Sequence, residues 1–503
     1  MRSMFISRLR CWPVFVAGLL LPLSFAPLEW GPLAVPLLAF LFYKWQGATS
    51  GEAWWTGWLF GTGMFLGGTY WVYISMHDYG GIPVVVAALL TFLFALFLGL
   101  FPAMAGWLSR RYLHIGNTLD LWLVFPAVWV LMEWTRSWFL TGFPWLNLGA
   151  SQVGWPLQGY APLTGEYGMS WLLALTAAGL VALLKAGLRK RIVICVALAL
   201  VWVAGVSLDQ VEWTQKIGKP FKVALVQANV SQEKKWDPDF RQEIISDYRE
   251  LTRPHWNVDV VIWPETAISA FYHYVPESID DLEKVAIDKG FDMLVGIPYL
   301  DPADKSYYNS VLSLGTERAF YHKRHLVPFG EFIPFQKYIS DVLDFMGLPM
   351  SGFSRGEARQ PPLKAGGYLA GLTICYEIIF NSEVIQSLPA AQYLVNISNN
   401  TWFGDSSMPY QQLQMSRLRA RETERYVLSA TNDGVSAVID SAGAITARSP
   451  RFRQAVLTAT VQARAGATPF VRWGNYPVLF ALGCIFIAVR LYRRKLFLAE
   501  YSQ

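Results

Sequence analysis

DVVIWPET, at residues 259–266, sets Val260, Val261, Ile262 and Trp263 in a row, then breaks at Pro264 before a lone glutamate, Glu265. A run so short and so rich in β-branched residues reads as a buried strand. The proline ends it, which leaves Glu265 just beyond the strand's carboxyl end. Runs of the same kind recur at 222–229 (KVALVQAN), 292–299 (DMLVGIPY), 307–314 (YYNSVLSL), 368–374 (YLAGLTI), 393–398 (YLVNIS) and 426–432 (YVLSATN). Polar, helix-compatible stretches at 238–253, 277–289 and 408–424 lie between several of them. The run 435–447 (VSAVIDSAGAITA) reads as a hairpin turning at Ser441, Ala442 and Gly443. Strands alternating with helices predict an α/β domain.

The domain has visible limits. Residues 212–472 hold 27 Lys and Arg against 29 Asp and Glu, a net of −2, while the rest of the chain holds 15 against 8, a net of +7. The predicted organisation is therefore a catalytic block at 212–472 between apolar flanks at 1–211 and 473–503. The chain's net charge of +5 belongs to the flanks, so it argues against nucleic acid as a partner. With 53% hydrophobic and 16% charged residues, against about 25% charged in ordinary soluble domains, disorder is excluded. Of Cys11, Cys195, Cys375 and Cys484, only Cys375 falls in the block, so no disulfide forms within it. No cysteine–histidine spacing suits a metal, and no cofactor is expected.

The flanks read as membrane spans of about 20 apolar residues. Eight candidates lie at roughly 12–28, 31–46, 53–75, 83–108, 118–140, 166–185, 191–208 and 475–491, the first two short and proline-rich. Under an eight-span reading, 14 of the 15 flanking Lys and Arg residues fall on one face, Arg136 being the exception. The positive-inside rule makes that face cytoplasmic and puts the 212–472 block in the periplasm of a bacterial inner membrane. A cleaved signal peptide competes for residues 1–30, but six more spans follow and the charge pattern needs no cleavage. Glu133 and Arg136, three apart, suit an ion pair near the outer interface, a headgroup contact or a docking point for the block. The aromatic, Gly/Pro-rich loop 141–168 suggests an interfacial platform. Transport fits poorly, because the spans contain few charges and no repeat halves.

Three residues fall at strand ends within the block, where α/β sites are built. Glu265 follows VVIWP, Cys375 follows YLAGLTI, and Lys323 lies in FYHKRHLVPFGE. Taken singly, each has an ordinary reading: an inert buried thiol, a capping carboxylate, a solvated lysine. Together they supply thiol acyl-transfer chemistry. A thiolate attacks a carbonyl, a carboxylate manages its proton, and an ammonium, helped by a backbone N–H after the cysteine, steadies the oxyanion. A helix over 381–388 (NSEVIQSL) would lend its positive end to the thiolate.

WPET at 263–266, HKRHLVPFGEFIPF at 322–335 and CYEIIF at 375–380 resemble the Glu-Lys-Cys constellation of the nitrilase, or carbon–nitrogen hydrolase, superfamily. With eight spans attached, the whole chain resembles the apolipoprotein N-acyltransferase family. The resemblance implies a bundle of about eight transmembrane helices carrying an α-β-β-α sandwich. It implies a ping-pong reaction in which Cys375 takes an acyl chain from a phospholipid, typically phosphatidylethanolamine, as a thioester. The α-amine of a diacylglyceryl-cysteine at a lipoprotein's N-terminus then accepts it. Glu265 is then the general base and Lys323 the stabiliser of the tetrahedral intermediate. Glu331, Tyr376 and Glu377 match supporting positions, and Trp236 in KKWDP matches a substrate-binding tryptophan.

The broken apolar stretch 338–353 (YISDVLDFMGLPMSGF) is expected to act as a lid over the acyl chain through Phe345, Met346 and Phe353, with Trp402 and Phe403 at its rim. A membrane-tethered amidase or nitrilase using water is the rival enzyme. A transporter or scaffold with a degenerate domain is the rival of another class, disfavoured by the intact triad.

Overall fold

The computed structural model describes residues 12–333 and 352–501, which divide into two compact units, Met1–Val211 with Trp473–Gln503, and Glu212–Arg472.

The first unit is helical. Four of its helices are long and apolar enough to cross a membrane: Val84–Arg111, Pro156–Lys185, Leu188–Asp209 and Tyr476–Lys495. Trp12–Ser24 and Gly31–Trp45 are shorter apolar helices. The 53–75 region is a helix, Ser50–Gly68, broken before Trp71–Ile74. Thr49 caps the helix Ser50–Gly68, exchanging hydrogen bonds with Glu52. The 118–140 region is helical over Asn117–Arg136, with a π-helical turn at Asp120–Val124 that precedes Pro126. Glycines let these helices approach closely. A Cβ on Gly57 would lie 2.3 Å from the Pro102 carbonyl oxygen, and one on Gly106 would lie 2.4 Å from that of Ala53.

Residues 144–153 of the expected platform are buried inside this unit. Arg136 and Glu133 hold that stretch. Arg136 donates to the carbonyls of Phe143 and Trp145 and to Asn147 Oδ1 (2.6 Å for the last). Glu133 accepts from Trp129 Nε1 at 2.9 Å and from the Leu148 amide at 2.8 Å. Buried charges are tolerable when hydrogen-bonded this way. Residues 144–153 therefore belong to the helical core, and exposed aromatics flank them at Trp138, Phe139 and Trp155.

The second unit is an α-β-β-α sandwich. We number its strands β1 Phe221–Gln227, β2 Val260–Ile262, β3 Asp292–Leu300, β4 Tyr307–Leu314, β5 Ala319–His322, β6 Leu363–Ala365, β7 Tyr368–Ile374, β8 Tyr393–Ser398, β9 Val427–Thr431, β10 Ala437–Ile439, β11 Ile445–Arg448 and β12 Ala455–Val461. One sheet has the order β12-β1-β2-β3-β4-β5 and the other β11-β10-β9-β8-β7-β6. Neighbours run parallel at β1–β2–β3 and at β7–β8–β9, and antiparallel elsewhere.

Alternation explains the layering. Val223 and Leu225 of β1 face the second sheet and join Leu372, Ile374, Val395 and Ile397 in one core. Ala224 and Val226 face outward and join Ile244, Ile245, Ile279 and Leu282 of the helices Arg241–Thr252 and Pro276–Lys289 in another. Both faces of such central strands are covered, so they read as unbroken apolar runs. The hairpin turns at Asp440–Ala444, where Asp440 Oδ1 accepts from the amides of Ala442 and Ala444, both at 2.9 Å.

Candidate functional site

The reacting groups stand at the ends of strands from both sheets. Glu265 lies three residues past β2, Lys323 directly follows β5, and Cys375 directly follows β7. Asn309 rises from β4, and Asn399 follows β8. Glu265, Lys323 and Cys375 are all buried.

Glu265 is held on both oxygens. Its Oε1 accepts from Asn309 Nδ2 at 2.6 Å and from Lys323 Nζ at 3.5 Å. Its Oε2 accepts from the Asn399 amide at 2.8 Å. The Cys375 thiol lies where it feels both this carboxylate and the Lys323 ammonium. Lys323 also donates to Glu331 Oε1 at 2.8 Å, and Asn309 Nδ2 reaches that oxygen at 3.2 Å. Glu331 is anchored in turn by the Val327 amide, which donates to its Oε2 at 2.8 Å.

Burial, then the Glu265 carboxylate, push the Cys375 thiol up to about 12, against the pull of Lys323. The thiol therefore rests protonated, and attack requires transfer of its proton to a neighbouring base. Burial alone would lower the Lys323 ammonium, but the carboxylates of Glu331 and Glu265 hold it well above the usual lysine range. Lys323 is thus a permanent positive charge beside the sulfur.

Cys375 itself sits at φ +55°, a left-handed conformation that costs a non-glycine residue about 1–2 kcal/mol and that clusters at functional turns. A 3-10 turn, Cys375–Ile379, begins on the cysteine. The helix expected over 381–388 is only Asn381–Val384 followed by the 3-10 turn Ile385–Ser387. It is too short for an appreciable dipole, and it does not lower the thiol. Gln412 Nε2, from the helix Met408–Thr423, donates to the Cys375 carbonyl at 2.9 Å and holds the turn.

Glu377 is fully buried and ties two loops together. It accepts from the Ile374 amide at 2.7 Å, the Arg324 amide at 2.7 Å, the His325 amide at 3.1 Å and the Tyr321 hydroxyl at 2.9 Å. Ile374, which precedes Cys375, and Arg324, which follows Lys323, are thus fixed by one carboxylate. Tyr376 packs edge-on to His325 (5.6 Å) and Phe380 (5.0 Å).

Trp236 is 48% exposed and Trp402 37%. Phe353 meets the Tyr307 ring edge-on with centroids 5.0 Å apart, and its amide donates to the Glu331 carbonyl at 3.1 Å. Phe345 and Met346, with most of the expected lid, lie outside the described residues. Among the described residues, no group of three His, Cys, Asp or Glu side chains is arranged to hold a metal.

Asn309, Asn399, Gln412 and Lys235 escape a sequence reading. Asn309 leaves a trace, since it interrupts the apolar pattern of YYNSVLSL, and Asn399 follows a strand directly. Lys235 leaves none: it is one of two adjacent lysines. Lys234 reaches the surface residue Glu243, whereas Lys235 is buried with its Nζ 2.9 Å from the Glu265 carbonyl.

Residues 17–179 match the family described as Apolipoprotein N-acyltransferase N-terminal domain, and residues 222–470 match that described as Carbon-nitrogen hydrolase. Among curated proteins, the chain is 44% identical to an apolipoprotein N-acyltransferase of Methylococcus capsulatus, covering 92% of each chain. It is 40% identical to one of Azotobacter vinelandii, covering 96% of each. Among solved structures, Nit3 of Saccharomyces cerevisiae, a member of branch 10 of the nitrilase superfamily, is similar at 19% identity and a TM-score of 0.38, over 50% of this chain and 92% of that one.

Proposed function

The chain belongs to the apolipoprotein N-acyltransferase family, and we propose that it moves an acyl chain from a phospholipid to the N-terminal amine of a diacylglyceryl-cysteine lipoprotein through a thioester on Cys375. The observation that carries this reading is the buried convergence of Glu265, Lys323 and Cys375, with Lys323 Nζ 3.5 Å from Glu265 Oε1 and the thiol under the influence of both charges.

In the first half, Cys375 gives its proton to Glu265 as sulfur attacks the ester carbonyl. Lys323 and the amide following the cysteine balance the oxyanion. Collapse expels the lysophospholipid alkoxide, which takes the proton from Glu265. In the second half, the neutral α-amine attacks the thioester and loses a proton to Glu265. The departing Cys375 sulfur takes that proton back. Glu331 would keep Lys323 in place, and Glu377 would hold the loops of Lys323 and Cys375 in register. Trp236, Trp402 and Phe353 are assigned to substrate contact because they present aromatic surface around this machinery.

We assign eight passes to residues 1–211 and 473–503, with 212–472 as the periplasmic catalytic block of an inner-membrane protein. The one-sided placement of basic residues supports this topology. Phosphatidylethanolamine is the proposed donor.

Incubation of the purified enzyme with vesicles of acyl-labelled phosphatidylethanolamine should leave a labelled acyl group on Cys375, detected by mass spectrometry. Adding a diacylated N-terminal peptide should discharge it as an amide. An adduct of equal yield in Cys375→Ala, or release of fatty acid alone, would overturn the assignment, the latter in favour of water as acceptor.

A further inference from the structure

The mechanism above leaves the buried ammonium of Lys235 without a task. Lys235 ends the short helix Gln232–Lys235 and is 2% exposed, where lysines are rarely found unless paired. Its Nζ donates to the backbone carbonyl of Glu265, the residue that takes the thiol proton, at 2.9 Å. The charged groups facing it are Glu265 and Asp433. Asp433, past the end of β9, faces in turn Arg451 and Tyr248. Glu265 faces Lys323, which it shares with Glu331.

Charge counting makes the need plain. Glu265 and Glu331 together carry two negative charges against the single ammonium of Lys323, an excess of one. Moving the thiol proton to Glu265, or passing charge from sulfur to the oxyanion, leaves that excess unchanged. Lys235 offsets it and faces Asp433 as well, which Arg451, itself paired with the exposed Asp405 at 2.9 Å, also faces. An uncompensated negative charge here would favour the protonated, useless form of the base.

We propose that Lys235 is a positioning residue for the acyl transfer, holding the Glu265 peptide through its carbonyl and keeping the neighbouring carboxylate ionised so that it can accept the thiol proton. The inference rests on Glu265 acting as the base. Burial, opposed by Glu265 and Asp433, brings Lys235 down to about 8, so its charge fades in the mildly alkaline range. An arginine at 235 would stay charged throughout.

The test uses the full-length enzyme and the variants Lys235→Met and Lys235→Arg, each checked by thermal unfolding. Two rates are read against pH: single-turnover thioester formation from labelled phosphatidylethanolamine, and alkylation of Cys375 by iodoacetamide, followed on its own peptide. Lys235→Met should lower thioester formation about 10- to 100-fold, with its dependence on phospholipid concentration unchanged, and move the acidic limb of both profiles up by about one pH unit. Lys235→Arg should recover most of the rate and abolish the decline above about pH 8. Should Lys235→Met fail to fold, the alkaline limb of Lys235→Arg decides alone. A folded Lys235→Met with wild-type rate and limbs, or a Lys235→Arg variant with an unchanged alkaline decline, overturns the proposal. A wild type that forms no thioester sinks the acyl-transfer reading instead, and the alkylation profiles still decide the role of Lys235.

Discussion

Replacing Glu265 by Gln removes the proton acceptor while leaving its volume and its bond from Asn309 largely in place. With the thiol at about 12, only about one Cys375 in 10⁴ is ionised at pH 8 without help. Loss of the base alone would therefore cost close to four orders of magnitude. Part of that returns, because the Glu265 charge is itself a cause of the raised thiol, after burial. Neutralising it lets the thiol fall back towards the value that burial sets. The net expectation near neutral pH is a loss of about 10²–10³-fold in acylation, within the range of general-base effects. A distinct pH profile should accompany it. The wild type draws its thiolate from an internal base, so its acylation should not rise above the acidic limb and should fall only as Lys235 loses its charge above about pH 8. The Gln variant must rely on solvent to remove the proton, so its rate should climb about tenfold per pH unit. Single-turnover labelling of Cys375 from acyl-labelled phospholipid between pH 6.5 and 9.5 measures both. A Glu265→Gln enzyme that acylates within about threefold of wild type, with a flat profile, would show that the carboxylate is not the base.

Glu377→Gln should act on both stability and rate. Three backbone amides and the Tyr321 hydroxyl share its two oxygens, and an amide nitrogen in place of one oxygen leaves about two buried donors unpaired, a loss of about 3 kcal/mol or more, visible as a lowered unfolding midpoint together with a reduced kcat. Trp236→Ala should do the opposite: its side chain is half exposed, so the midpoint should hold within about a degree while KM for the lipid or lipoprotein substrate rises, which steady-state kinetics in vesicles would show.

Strand patterning made the α/β character of the block legible, and the two-sheet sandwich followed from the resemblance. Runs such as YLAGLTI and YLVNIS are apolar throughout because both of their faces are covered, and that signal survives without any partner being known. Short edge strands were invisible for the matching reason. Leu363–Ala365 and Ala319–His322 are brief, and their burial patterns mix open with closed positions. Glu265 and Cys375 could be seen because they lie just past recognisable strands, whereas Lys323 follows one of those invisible edge strands and stood out only through its motif, HKRHLVPFGEFIPF. The residues that hold the triad were hidden because their roles depend on pairings across the sheets. Nothing local to EKKW distinguishes the surface Lys234 from the buried Lys235. In the helical unit, Glu133 and Arg136 were visible as expensive charges, but their partners were not. They grip the backbone of the 141–152 loop, and main-chain carbonyls leave no trace in a sequence.

The raised thiol carries a consequence for where such an enzyme can work. A thiolate that exists at rest reacts with any oxidant or disulfide that reaches it. On the periplasmic side of a membrane, the setting proposed for Cys375, such partners abound. Cys375 escapes by being buried, by facing the Glu265 anion more strongly than the Lys323 cation, and by sitting in a block with no second cysteine. Its reactivity is conditional: the proton leaves for Glu265 only as an acyl carbonyl arrives to take up the sulfur's charge and passes it to an oxygen beside Lys323. The same arrangement threatens the thioester's lifetime, since the base that activates sulfur would equally activate water. Control over the acceptor therefore falls to whatever excludes water from the Glu265 carboxylate, whose two oxygens are already filled by Asn309, Lys323 and the Asn399 amide. A carboxylate so fully engaged offers little room for a stray water. An α-amine delivered on a lipid anchor arrives at high local concentration, and that difference favours transfer over hydrolysis.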